Sequence, residues 1–194
     1  MTYRYPSELE DRVSLSNGEL LHIRPLRRCD DLPIRELYGH LSAETRYLRF
    51  FSPMPLLPDS VLRLITGVDY RRRLALLAEL DAPDGVQVVA LGSFAAIDCN
   101  TAEVALVVGD EWQRRGIGLA LAVRVLLAAE ARGFGEFVAH VLHDNVVIRT
   151  VLDRVGVVVS TKALHGVSEV RFVRRASPRL VKESAPGTVE RSPC

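Results

Sequence analysis

Between Val107 and Ala120 the chain reads Val-Val-Gly-Asp-Glu-Trp-Gln-Arg-Arg-Gly-Ile-Gly-Leu-Ala, which sets Gly116 and Gly118 between a β-branched run and an apolar one. The first backbone N–H groups of a helix have no partner within it and carry partial positive charge, so a helix starting at Ile117 is a ready anion site. Glycine at 116 and 118 lets that backbone approach a phosphate with no side chain in the way. Gln113, Arg114 and Arg115 can add amide and guanidinium donors. Each charge-assisted bond is worth roughly 1.5–3 kcal/mol net, so a few of them hold a diphosphate without a metal. Thirteen residues before Gly116, Glu103 is the single acidic residue of the run Thr-Ala-Glu-Val-Ala-Leu-Val-Val. A carboxylate among apolar strand neighbours suits a general base, the group that takes a proton from a nucleophile. The same residue on an exposed strand face would be an ordinary solvated glutamate.

Two other phosphate-binding patterns fail on residues. A dinucleotide fingerprint needs a third glycine where Leu121 stands, and a P-loop needs a lysine, which occurs in this chain only at 162 and 182. The pattern that remains, Gln/Arg-x-x-Gly-x-Gly/Ala, is met by "QRRGIG".

These residues need elements to position them. Asn17-Gly18 predicts a hairpin with strands at about 11–15 and 20–25. Asp30 or Asp31 then opens a helix reaching His40, and Ser42 caps a second through "AETRYLRF". "SVLRLITG" predicts a short helix stopping at Gly67. The turn "DAPDG" divides an antiparallel meander over residues 74–108. Ile117 to Ala131 holds only Arg124 and Glu130 as charged groups, which predicts a helix buried nearly all round and ended by Gly133. "FVAHVL" reads as a buried strand, "NVVIRTVLDRVG" as a helix, and "VVVSTKA" with "SEVRFVRR" as a closing hairpin.

Composition bounds the rest. The 194 residues suit one domain over 1–175, followed by a Ser- and Pro-containing tail over 176–194 that is expected to be disordered. Lys and Arg number 25 against 24 Asp and Glu, so no basic excess argues for nucleic acid or a membrane surface. No apolar run nears the roughly 18 residues of a span and the start lacks a signal-peptide core, so a cytoplasmic protein is expected. Cys29, Cys99 and Cys194 are too far apart to suggest a zinc ligand pair or a disulfide framework. His140 and His143 have no carboxylate or thiol partner nearby in sequence and read as packing residues; no metal is expected.

With these residues in place, the chain resembles the GNAT superfamily of acetyl-CoA-dependent N-acetyltransferases over about residues 15–175. "QRRGIG" matches the loop on which that family binds the coenzyme A pyrophosphate, and Glu103 and Asn145 match its pattern in order and spacing. "LSAETRYLRFF" is similar to a segment of the bacterial protein-lysine acetyltransferase branch. The resemblance implies an α/β fold with a mixed, centrally antiparallel sheet of six or seven strands and helices on both faces. It implies acetyl transfer by direct attack of an amine, with Glu103 as base and a splayed strand whose free amide near Val107 or Val108 serves the carbonyl oxygen. Cofactor contacts are expected at Val107, Val108, Gln113, Arg114, Arg115, Gly116, Ile117, Gly118 and Asn145. Asn145 could hydrogen-bond the pantetheine arm or cap the helix it precedes. The acceptor implied is a protein lysine or N-terminus, with a small-molecule amine as the rival and the oligomeric state left open. The tyrosine that many members carry after the fifth strand as general acid is missing, which keeps a non-catalytic acyl-CoA-binding regulatory module as an alternative. Arg46, Arg49 and Arg71-Arg72-Arg73 could frame an acceptor cleft or form a solvated face.

Overall fold

The computed structural model describes residues 4–176 except Ser16, Asp84 and Asp144. The tail expected beyond Ala176 lies outside the described residues. Eight strands form a single sheet in the order β1-β2-β3-β4-β5-β6-β8-β7. They are β1 (Asp11–Ser14), β2 (Leu20–Pro25), β3 (Arg73–Ala82), β4 (Gly85–Ala96), β5 (Thr101–Val108), β6 (Glu136–Leu142), β7 (Gly156–Leu164) and β8 (Val167–Arg174). Five helices connect them: α1 (Asp31–Gly39), α2 (Ala43–Phe50), α3 (Asp59–Thr66), α4 (Ile117–Glu130) and α5 (Val146–Val155). The expected six or seven strands are eight, because the N-terminal and the C-terminal hairpins both join the same sheet as the meander.

Every neighbouring pair is antiparallel except β5 with β6, which are parallel. That exception follows from connectivity, since α4 carries the chain over one face before β6 enters beside β5. The first turn is the one Asn17-Gly18 predicts: Gly18 takes φ +86° and donates its N–H to the Leu15 carbonyl at 3.0 Å.

The apolar run of β3 has no polar alternation because both its faces are covered. Leu74, Leu76 and Ala78 pack under α4 with Phe94, Leu121 and Phe137, whereas Ala75 and Leu77 pack with Leu26, Leu37 and Leu62 of the α1 and α3 side. Burying each of the large side chains contributes roughly 1.5–3 kcal/mol. At Gly92 an added Cβ would lie 3.0 Å from Leu121 and Val125, which is how closely α4 rides on β4.

Asp30 occupies the cap position of α1 without using its side chain there. Its carboxylate instead accepts from Arg24 Nη1 at 2.7 Å and from the Arg27 N–H at 2.6 Å, while Arg24 Nε donates to Glu79 at 2.7 Å. Arg24, Asp30 and Glu79 are all largely buried. Burial works to lower the Arg24 pKa, but the two carboxylates outweigh it and hold the guanidinium firmly charged.

Candidate active site

The splay between β5 and β6 makes the site. β6 pairs with β5 only from Thr101 to Glu103, whereas β4 follows β5 to Val108. Successive residues of a strand turn their N–H and C=O alternately to the two sides. Gly109 donates to the Val89 carbonyl of β4 at 2.9 Å, so Val107, two residues back and paired with Leu91, also faces β4. The same parity turns the Val104 amide to Val138, the last β6 residue in register, and aims the amides of Leu106 and Val108 into the gap that β6 leaves beyond it. Of the two expected positions, only Val108 presents a free N–H there; the amide of Val107 is committed to the ladder.

A cavity of about 470 Å³ opens at this gap and runs from Thr45, Arg49 and Glu103 to Gly116, Gly118 and Asn145. The sheet divides it into two sides. Leu106 and Val108 point to α4, since a Cβ on Gly118 would touch both at 3.5 Å. Glu103, Ala105 and Val107 therefore point the other way, and Val107 packs in the α1 and α3 core. The cavity joins an anion cradle on the α4 side to a carboxylate on the α2 side.

At the cradle, Gly116 takes φ +86° as the N-cap of α4, with nothing within 4 Å of where its Cβ would stand. The first bond inside the helix is from Ala120 N–H to the Gly116 carbonyl at 3.0 Å, so the amides of Ile117, Gly118 and Leu119 lie ahead of the helical ladder. Ile117 offers its backbone only, because its side chain is completely buried in the core. Arg114, at φ +62°, lines the cavity. Open space, free amides and a guanidinium together fit a diphosphate.

Three expectations at this loop change. The Gln113 side-chain amide donates to the Val108 carbonyl at 3.2 Å and to Thr45 Oγ1 at 3.3 Å, so it braces the loop instead of facing a phosphate. Arg115 turns to the first hairpin, 3.6 Å from Glu19. Gly118 has an ordinary φ, and a Cβ there would meet Leu106 and Val108 at an ordinary contact of 3.5 Å, so the packing of α4 on β5 does not itself demand a glycine. Asn145 caps α5, its Oδ1 accepting from Ile148 N–H at 3.1 Å, and its Nδ2 is what remains for a ligand in the cavity it lines.

On the other side, Glu103 is half-exposed, and His140 of β6 places Nδ1 3.4 Å from its Oε1. The pairing is tertiary, since 37 residues separate the two in sequence and the parallel register brings them together. His140 Nε2 lies 3.9 Å from Glu169, which accepts from Arg171 at 3.0 Å. Reading His140 as a packing residue therefore missed a contact that nothing local in the sequence signals. No cluster of three metal-ligating side chains occurs among the described residues.

The "LSAETRYLRFF" segment has a structural reason at this site. The carboxylate of Asp110, in the loop before α4, accepts from Ser42 N–H at 2.8 Å, from Ser42 Oγ at 2.7 Å and from Thr45 Oγ1 at 2.7 Å. Burial alone would raise its pKa, and these bonds outweigh that and hold it below the usual value. The cradle loop and α2 are thereby fastened to each other. Arg46 is a brace, donating to the Pro55 carbonyl at 2.8 Å and lying over the Tyr38 ring. Arg71, Arg72 and Arg73 offer their backbone N–H groups to Asp69 away from the cavity, while Arg49 lines it.

Residues 35–156 match the acetyltransferase (GNAT) family. The chain belongs to that family. It is 33% identical over 148 residues to Acetyltransferase Pat of Mycolicibacterium smegmatis, a match covering 75% of this chain and 44% of Pat. It thus spans less than half the length of that relative. Among solved structures, the GNAT domain of S. lividans PAT superposes with a TM-score of 0.77 at 28% identity, covering 88% of this chain and 99% of that one. YncA of Salmonella typhimurium, solved with its cofactor acetyl-CoA, shares the GNAT fold at 18% identity, with a TM-score of 0.62 and coverage of 87% and 98%. Among the described residues no helix is long and apolar enough to cross a membrane.

Proposed function

We propose that this GNAT protein transfers an acetyl group from acetyl-CoA to a primary amine of a protein, a lysine side chain or an N-terminus. The observation that carries the proposal is the divided cavity: a free Val108 amide in the splay, the α4 N-terminus on one side and Glu103 on the other. The lysine acceptor is supported by the likeness to Pat and by the α2 segment that carries the protein-acetyltransferase pattern.

Acetyl-CoA brings the activated acyl group as a thioester; the chain's own residues do the following. The amides of Ile117 and Gly118, with Arg114, hold the diphosphate. The Nδ2 of Asn145 is placed for a polar group of the arm between α4 and α5. The Val108 N–H donates to the carbonyl oxygen as negative charge grows there, the role of an oxyanion donor. A lysine amine has an ordinary pKa of about 10.4, so freeing its lone pair at pH 7 costs about 4.6 kcal/mol. Glu103 takes that proton directly or through water, and its half-exposed position leaves room for either route.

The test is release of CoA thiol from acetyl-CoA with a lysine-peptide pool, read beside mass spectrometry of the peptides. Transfer to peptide lysines supports the proposal. Transfer only to small amines replaces the acceptor, and tight binding without turnover on any amine means a regulatory acyl-CoA-binding module.

A further inference from the structure

Arg49 is a charged side chain in the active-site cavity that makes no ion pair among the described residues; Glu103, the one opposite charge that acts on it, does so from beyond contact distance. Among the described residues its buried Nε has no hydrogen-bond partner, and no carboxylate lies within ion-pairing distance of it. Its guanidinium carbon stands 5.0 Å from the Phe50 ring, a contact that shields it from water without neutralising it. Arg49 is partly buried with its Nε fully so, and an unpaired charge withdrawn from water is costly, so such charges in folded proteins are normally matched by a partner.

Its placement is built. Thr45 and Arg49 are four residues apart on α2, so they share a helix face. Thr45 is pinned by Asp110 and Gln113, which turns that face, and Arg49 with it, into the splay. Phe51 ends the helix in the left-handed region at φ +55° and lines the same cavity. The charged groups lining the cavity are Arg49, Arg114, Arg154 and Glu103, and the imidazole of His140 lines it beside them. The single carboxylate, Glu103, has His140 at 3.4 Å as its own neighbour, and the arginines leave a cationic excess. The diphosphate cradle accounts for Arg114 at the α4 end. Arg49 is at the other end, on the Glu103 side of the sheet, where the acceptor enters.

On these grounds, and resting on the transfer reading above, we propose that Arg49 is the acceptor subsite for a carboxylate: the preferred target is an amine with a carboxylate beside it, a lysine flanked by Asp or Glu. The guanidinium fork grips the carboxylate in two parallel bonds and so sets the neighbouring amine at Glu103. Acceptor binding then brings to Arg49 a counter-charge at contact distance.

The experiment uses the full chain and two peptides alike except that the residues flanking one lysine are Glu in the first and Gln in the second. Two readouts are taken: kcat/KM for acetyl transfer, and calorimetric binding of the peptides to the CoA-loaded protein. Wild type is expected to favour the Glu peptide by about 10- to 100-fold, the range of one charge-assisted contact. Arg49→Gln should erase that preference while leaving the Gln peptide and the KM for acetyl-CoA within about twofold, and Arg49→Lys should keep part of it. Free lysine against lysinamide, run in parallel, tells whether the carboxylate is read on a peptide side chain or on a free amino acid. No preference in wild type, or an equal loss for both peptides in Arg49→Gln, overturns the proposal. If neither peptide is acetylated, binding still decides: Glu-dependent binding lost in Arg49→Gln upholds the subsite while the transfer reading falls, and Glu-independent binding sinks the subsite.

Discussion

Replacing Glu103 by Gln keeps the volume and an oxygen facing His140 Nδ1 at 3.4 Å, but removes the ability to accept the amine proton. The resulting loss can be bounded from both ends. At pH 7 only about one lysine amine in 2,500 is unprotonated, so a variant limited to pre-formed free amine can lose no more than roughly that factor for deprotonation. General bases contribute about 10² to 10⁴, and the 48% side-chain exposure of Glu103 lets water relay protons in its absence. A fall of about 10² to 10³ in kcat/KM at pH 7 is therefore expected. The loss should shrink about tenfold per pH unit as the amine titrates toward its pKa of about 10.4. Acetyl-CoA affinity should hold within about twofold, because Glu103 and the α4 amides lie on opposite faces of β5. The assay is CoA thiol release from pH 7 to 9.5, with the exposed Cys29 and Cys99 of the protein subtracted as background. Turnover within threefold of wild type at pH 7 refutes the base assignment, and a pH-independent loss refutes the proton-transfer reasoning even if turnover falls.

Other outcomes follow from the same geometry. Gly116→Val puts a β-branched residue at φ +86° and a side chain into the open cradle, so calorimetry should show acetyl-CoA affinity falling at least about tenfold; unchanged affinity would remove the cradle assignment. Asp110→Ala strips the carboxylate from three donors on α2, and thermal unfolding should register a loss of about 1–3 kcal/mol together with weaker acetyl-CoA binding, whereas an unchanged midpoint would mean the loop is held elsewhere. Because the folded pKa of Asp110 lies below its ordinary 3.8, the stability it adds is fully present above that value and is lost as pH falls through the folded pKa. The gap between wild type and Asp110→Ala should thus be constant from pH 5 to 8 and close below about pH 4 in denaturant titrations. Arg24→Leu leaves Asp30 and Glu79 buried without their shared cation and should cost about 3–5 kcal/mol by the same measurement, a loss under 1 kcal/mol being incompatible with the network described.

Much of the fold was readable because its signals are local. Asn17-Gly18 makes its turn by the conformational freedom of Gly18 alone, Ser42 caps α2 through its bond to Thr45 N–H, and the uncharged stretch of α4 declares a helix covered on most sides. The cradle is legible for the same reason: a left-handed glycine and unpaired amides need only a strand, a loop and a helix in succession. Strand count was less accessible, because nothing within Asp11–Pro25 or Gly156–Arg174 says which sheet edge a hairpin will join.

Roles that depend on direction lay beyond local reading. Val107 and Val108 are alike in sequence, and only the register with β4 turns one amide to the ladder and the other to the gap. Gln113 and Arg115 look like phosphate donors until Thr45 and Glu19 arrive from distant segments to engage them. His140 acquires Glu103 through parallel pairing, and Arg49 differs from Arg46 by which face of α2 is turned to the cavity. The sequence by itself determined the elements and the backbone form of the α4 N-terminus, since each rests on backbone propensity over a few residues, and it singled out Glu103 as the candidate base. Which side chains confront one another across the cavity was decided by tertiary structure alone, because hydrogen-bond direction and strand register exist only once separate segments meet.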